Sequence, residues 1–219
     1  MRNPLKHTLR QHYVPLVVNP KALRFTRHPL FKLIGLRRAI ADHSEAEELL
    51  LTKYAKGRKC LVEIGVAEGA SALALRKAAD ANGILYLIDP YPSGRIPGLN
   101  LQKVCAHHHV NRSDNSSVRW IQDFSQNVSK NWREPVDFLF IDGDHSYEGC
   151  LRDWREWSPF VNLGGIVAFH DARLFPNGWT RSNSGPVRVA KELFYEGQSS
   201  QWEIVDEVDS LLIVQKTNL

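Results

Sequence analysis

No stretch of eighteen apolar residues occurs in the 219-residue chain, which argues against a helix that spans a membrane. The N-terminus also lacks the apolar segment of a secretory signal, so a cytoplasmic location is expected. Cysteine is scarce. Cys60, Cys105 and Cys150 are odd in number and far apart, which fits reduced thiols, two of them as core filler, and not a disulfide framework. Acid is missing from one region only: residues 1–41 hold nine Lys and Arg and no Asp or Glu. The remainder then carries 19 cations against 24 acids, a balance of −5.

A basic arm on an acidic body can meet nucleic acid, an anionic lipid or an acidic substrate, or can pack as a lid over the body or across a second copy of the chain. Only Tyr13, Phe25 and Phe31 are aromatic in the arm, too few to interleave with the bases of a single strand, so no nucleic-acid partner is expected. Its one amphipathic piece, from Leu30, is short for a membrane anchor. The chain thus divides into an arm, 1–43, and one globular domain, 44–219, with 43% apolar content overall.

The domain is organised around Cys60 to Pro90, which reads as strand, glycine turn, helix and strand. Cys60 to Ile64 and Ile84 to Ile88 are apolar runs of the kind found in strands buried on both faces. Gly65 and Gly69 bracket a turn before a helix from Ala70 to Ala79, so a ligand can approach the backbone closely. Asp89 ends the second strand, where doubly wound sheets place the acid that holds a ribose. The dinucleotide fingerprint G-x-G-x-x-G is absent. Glu63 and Glu68 beside the turn would repel a pyrophosphate, which weighs against a nicotinamide-dependent oxidoreductase. An acid there suits an ammonium, and S-adenosylmethionine carries an ammonium, a ribose and a sulfonium but no phosphate.

A second stretch, Val136 to Glu148, runs a buried strand into Asp142, Asp144 and His145. Three ionisable groups at the mouth of an apolar strand are costly as mere structure. Asn162 to Gly165 then turns into a strand from Ile166 to Phe169 that delivers His170 and Asp171 to the same edge. Between these stretches, Val118 to Ile121 forms a third strand, followed by Asp123 and Phe124. Near the end, Trp202 to Val205 and Ser210 to Gln215 pair around a turn at Asp206 to Asp209. His107, His108 and His109 lie on one helix, where neighbours point about 100° apart and cannot share an ion.

The acid-and-glycine turn resembles motif I of the class I methyltransferases. The runs IDGDHSYEG, GGIVAFHD and GPVRVAKEL, in that order, resemble the small-molecule O-methyltransferases of catechol and antibiotic-sugar type. The resemblance covers roughly residues 44–215. It implies a Rossmann-like, doubly wound, mostly parallel seven-stranded sheet that ends in an antiparallel hairpin. It further implies S-adenosylmethionine held by Glu63, Gly65, Gly69, Ser71, Asp89, Asp123, Phe124 and Asp142, with Ser71 on the methionine carboxylate and Asp123 and Phe124 at the adenine. The helix before the first strand would bring His43 or Ser44 near the methionine moiety.

In the relatives a divalent cation, usually magnesium, sits between the acid ending strand four and a pair ending strand five. Carried over, its ligands would be Asp142, His170 and Asp171, with histidine where relatives have a carboxylate. That exchange favours a softer ion or none. The expected reaction is methyl transfer to a hydroxyl of a small sugar or phenol, with His145 or Asp144 as base. His145 is favoured, since its unperturbed pKa of about 6.5 suits a base near neutrality. Arg95, Arg173 and Arg181 in loops hint at an anionic group on the acceptor. A non-catalytic domain of the same fold, binding a polyanion through its arm, is the alternative.

Overall fold

A computed structural model describes residues 39, 42–92, 99–176, 178–197 and 200–218. Residues 1–38, 40 and 41 of the basic arm, with most of the helix expected from Leu30, and residues 93–98 of the loop containing Arg95 lie outside the described residues.

Ser44 opens the described domain as the cap of α1 (Glu45–Ala55). Its hydroxyl accepts from the Glu47 N–H while the Glu47 carboxylate accepts from the Ser44 N–H, the reciprocal box that S-x-x-E encodes. There follow β1 (Cys60–Ile64), α2 (Ala70–Ala78), β2 (Ile84–Ile88), α3 (Leu101–Val110), β3 (Ser117–Ile121), the short α4 (Ser125–Val128) and β4 (Val136–Ile141). Next come α5 (Tyr147–Trp157), β5 (Val161–Phe169), α6 (Gly185–Ala190), β6 (Trp202–Val208) and β7 (Leu211–Lys216). The seven strands lie in the order β3-β2-β1-β4-β5-β7-β6, with β7 antiparallel to both its neighbours and the rest parallel.

Successive side chains of each central strand enter opposite cores. Leu61, Phe138 and Phe140 pack with Leu51, Leu75 and Val110 of α1, α2 and α3. Val62, Leu139 and Ile141 pack with Trp154 and Trp157 of α5. Both faces are therefore apolar, which is why these strands read as continuous runs. The order reverses at β1, which has β2 on one side and β4 on the other, so their carboxyl ends open a crevice.

Two expectations shift. Asn162 to Gly165 forms no separate turn: β5 begins at Val161, and the four residues bulge out of register against β4. The final hairpin also turns later. Asp209, with φ +45°, and Ser210 make the connection, while Asp206 and Glu207 stay in the edge strand β6. Asp206 is held there by Lys53 and Tyr54 of α1.

Gly65 is fixed by a close approach. Its φ is +85°, and a Cβ would stand 2.1 Å from the Asp142 carbonyl oxygen. The ends of β1 and β4 touch through this missing side chain, and Gly65 N–H donates to Ile88 O at 2.9 Å on the other side. Gly65→Ala combines a strained φ with overlap on backbone, and should cost about 3 kcal/mol or more. Urea denaturation checks this; a variant as stable as the parent would contradict the packing described.

Candidate active site

The turn after β1 is braced from β2. Asp89 Oδ2 accepts from the N–H groups of Val66 (2.9 Å) and Ala67 (3.2 Å), and Oδ1 accepts from Tyr91 N–H (2.8 Å). The acid expected to meet a ribose thus also holds the turn in shape, and it lines both cavities described below. Beneath the turn, Glu63 is fully buried. Its Oε1 accepts from the Ser71 hydroxyl, while Oε2 has no hydrogen-bond partner. Burial, reinforced by the charges of Asp142 and Asp89, raises its pKa well above the carboxylate range, against the Ser71 bond. Ser71 stands between Glu63 and the cavity, so its proton goes to Glu63 and not outward.

Two adjoining cavities lie along the crevice and share Gly65, Asp89 and Gly143. The larger, about 630 Å³, runs from His43 and Ser44 past the glycine turn to Asp142, His145, His170, Asp171 and Trp179. The smaller, about 360 Å³, has apolar walls of Ile64, Ile88 and Phe124 and polar groups from Ser125, Gln126, Asp144 and Asp153. Phe124 leaves its ring exposed there. Asp123 lines neither cavity; its carboxylate accepts from Phe124 N–H and Asn127 Nδ2. Asp153, which sequence reasoning passed over, is buried at the smaller cavity, takes the Ser125 hydroxyl, and is pushed up to about 6, chiefly by burial.

His145 and Asp144 part company. Asp144 accepts from Ser146 N–H at 2.9 Å, faces Arg152 at 3.9 Å and lines only the smaller cavity. His145 lies in the larger one, between two acids: Nε2 is 3.2 Å from Asp142 Oδ1 and Nδ1 is 3.2 Å from Asp171 Oδ2. His170, almost wholly buried, places Nδ1 3.0 Å from the same Asp142 oxygen and Nε2 3.6 Å from Glu47 Oε2. Trp179 donates its indole N–H to the other oxygen of Asp171. Asp171 itself adopts φ +53° just past the end of β5.

The result is a row of alternating charge, Glu47, His170, Asp142, His145 and Asp171. Bonds to Asp142 and Asp171 raise His145 to about 10 against its desolvation. Burial pulls His170 down, but Asp142 and Glu47 outweigh it and lift it to about 10. Burial works against ionising Asp171, yet His145, His170 and Trp179 hold it at about 2, and the same two histidines keep Asp142 below its usual range. The premise that His145 keeps an ordinary pKa fails in the fold, because two carboxylates stabilise its charged form.

Asp142, His170 and Asp171 converge, as the cation expectation required, but Asp142 Oδ1 is shared by His170 Nδ1 and His145, and Asp171 Oδ2 faces His145. Among the described residues no group of three or more His, Cys, Asp or Glu is arranged to hold a metal ion. The arginines expected to meet an anion also go elsewhere: Arg173 to Glu207 and the Asp209 carbonyl, Arg181 to the carbonyls of Gly178 and Thr180. Of the three histidines on α3, His107 stacks on Trp120 at 3.8 Å, burial lowers its pKa, and His108 is exposed.

Residues 62–172, from β1 to just past β5, match the family model of a methyltransferase domain, Methyltransf_24. The chain belongs to this methyltransferase family. The matched half holds the braced turn and four of the five members of the charge row; Glu47 lies before it. An uncharacterized protein, R132, of Acanthamoeba polyphaga mimivirus is 26% identical over 134 residues, 59% of this chain and 58% of that protein, so the match spans little more than half of its length. Among solved structures, the O-methyltransferase TomG of Streptomyces achromogenes, involved in tomaymycin synthesis and bound to S-adenosylmethionine, is 16% identical with a TM-score of 0.63 over 93% of each chain. An rRNA methylase of Streptococcus thermophilus is 10% identical with a TM-score of 0.56, covering 82% of this chain and all of its own. Both neighbours share the class I methyltransferase fold, and their acceptors differ, so the acceptor of this methyltransferase must be argued from its site. No described helix is long and apolar enough to cross a membrane.

The charge row sets a pH dependence. Asp142 and Asp171 are lowered, so their stabilisation is present above about pH 4 and is lost as the pH falls through the folded values. His145 and His170 are raised to about 10, so theirs is complete below about pH 6.5 and is lost as the pH climbs towards 10. Thermal melting should therefore decline from pH 6.5 to 10, and less steeply in His170→Asn. A midpoint that rises over that range would contradict the row.

Proposed function

We propose that the protein transfers a methyl group from S-adenosylmethionine to a hydroxyl oxygen of a small molecule. One observation carries the reading: the braced glycine turn and the carboxylate–histidine row line the same cavity. The residues fit this cofactor at three points. The smaller cavity offers the Phe124 ring and apolar walls to a purine, and Asp89 stands at its junction with the larger one. Gly65, Val66, Ala67 and Ser71 line the larger cavity where a methionine head group would lie, and the buried Glu63 keeps an oxygen without a hydrogen-bond partner behind Ser71. Kinship with TomG, an O-methyltransferase that holds S-adenosylmethionine, points the same way.

Bound there, the cofactor supplies a methyl carbon on a sulfonium, a leaving group that needs only an aligned oxygen. The chain must position the acceptor and take its proton. His145 is the residue placed for this, since it faces the cavity and its side chain is half exposed. At rest both its nitrogens face carboxylates, and it is a donor. An acceptor hydroxyl that takes the place of Asp142 at Nε2 leaves the ring with one carboxylate, Asp171 at Nδ1, and the proton on Nε2 passes to solvent as that charge partner is lost. An imidazole so held by a single acid can accept the hydroxyl proton at Nε2 while the oxygen gains the methyl. Trp179 fixes Asp171, and so the ring, from the far side. A divalent cation does not fit this arrangement, because it would sit beside imidazoles whose charge already answers Asp142 Oδ1 and Asp171 Oδ2. No step is assigned to one.

Among the described residues, the wall of the larger cavity carries no lysine or arginine, so the acceptor that suits it is a neutral polyol or phenol. Calorimetry with S-adenosylhomocysteine is the first test, and binding in the micromolar range is expected. His145→Ala should leave that affinity within about twofold while release of S-adenosylhomocysteine with phenolic and glycoside acceptors falls about 100- to 10,000-fold. No binding at high micromolar concentration would overturn the reading.

A further inference from the structure

Glu47 has no place in the expectations drawn from sequence beyond its cap, and the cap does not account for where it lies. The N3 glutamate of a capping box ordinarily sits on the helix surface, with one oxygen used. Here it is fully buried, and both oxygens are engaged. Oε1 accepts from Ser210 N–H at 2.8 Å and from the Ser210 hydroxyl at 2.6 Å, which ties α1 to the β6–β7 turn. Oε2 accepts from Ser44 N–H at 2.7 Å and faces His170 Nε2 at 3.6 Å. That last distance is too long for a hydrogen bond and is a charge contact. It is also all that His170 Nε2 has: the atom is buried and without a hydrogen-bond partner.

An imidazole can turn its ring over, and His170 has a choice to make. With Nδ1 towards Asp142 the ring supports the row; flipped, it presents carbon to Asp142 and leaves that oxygen to His145 alone. A buried carboxylate behind the ring favours the first orientation, because it gives the otherwise stranded Nε2–H a counter-charge. We propose that Glu47 is a positioning residue of the transfer reaction: it holds the His170 ring with Nδ1 on Asp142 and thereby keeps Asp142 partnered when an acceptor hydroxyl replaces it at His145 Nε2. The inference rests on the methyltransferase reading, since it supposes that His145 handles the acceptor proton. It also couples the reaction centre to the start of α1, whose preceding residues Asp42, His43 and Ser44 line the same cavity.

The test uses the full chain with ¹⁵N-labelled histidine. In the parent, the His170 ring nitrogens should show both sites protonated at pH 7, unaffected by S-adenosylhomocysteine. Glu47→Gln keeps size and one accepting oxygen for Ser210, but removes the charge and the acceptor that Ser44 N–H uses. It should shift the His170 signals, leave the affinity for S-adenosylhomocysteine within about twofold, and lower kcat about 10- to 100-fold with little change in acceptor KM. Should Glu47→Gln fail to fold, Ser210→Ala loosens the carboxylate with its charge intact, and a smaller shift of the same His170 signals is expected. Unchanged His170 signals in whichever variant folds would overturn the proposal. So would shifted signals with an unaltered kcat. If S-adenosylhomocysteine fails to bind the parent itself, the functional reading fails, a result read separately from the ring signals.

Discussion

Five ionisable groups can share the end of one parallel sheet only because each carboxylate is separated from the next by an imidazole. Glu47, His170, Asp142, His145 and Asp171 alternate in charge, with one polar distance after another between 3.0 and 3.6 Å. Remove either ring and two acids face each other in a poorly solvated crevice, where like charge is costly. The row therefore determines what the site can hold. It presents a protonated donor to the cavity at rest, and it sets charged imidazoles beside the carboxylate oxygens that a hard cation would need.

The sheet makes the row possible. β1 and β4 are neighbours because the strand order reverses at β1, and Gly65 lets their ends meet without a side chain between them. That contact sets the glycine turn beside Asp142, so the place for a nucleoside and the place for an acceptor open into one crevice. Asp89 contributes from the third strand end by holding the turn through two of its backbone N–H groups, while Tyr91 N–H anchors the carboxylate itself. Its expected role towards a ribose is compatible with this, because a carboxylate has lone pairs to spare beyond those bonds.

Much of this was legible in the sequence, and for a definite reason. Strands buried on both faces read as apolar runs, so β1, β2 and β4 stand where Cys60–Ile64, Ile84–Ile88 and Val136–Ile141 placed them. The capping box at Ser44 and Glu47 also read correctly, since it depends on residues three apart. What was illegible depended on distant partners. Glycines at 164 and 165 look like a turn but form a bulge, because β4 continues alongside to keep the strand going. Asp206 and Glu207 look like a loop but remain in an edge strand that meets α1. The pKa of His145 could not be read without knowing that Asp171 would arrive opposite Asp142. Nor could the burial of Glu47 and Asp153, whose partners Ser210, His170 and Ser125 are remote in the chain.

The most direct measurement of the central claim is a crystal structure of the protein with S-adenosylhomocysteine and millimolar magnesium or manganese. The account predicts the purine beside Phe124, the ribose at Asp89, the sulfur facing His145, and the His145 ring still lying between Asp142 and Asp171. Metal density between those two carboxylates, with His145 swung away, would contradict it.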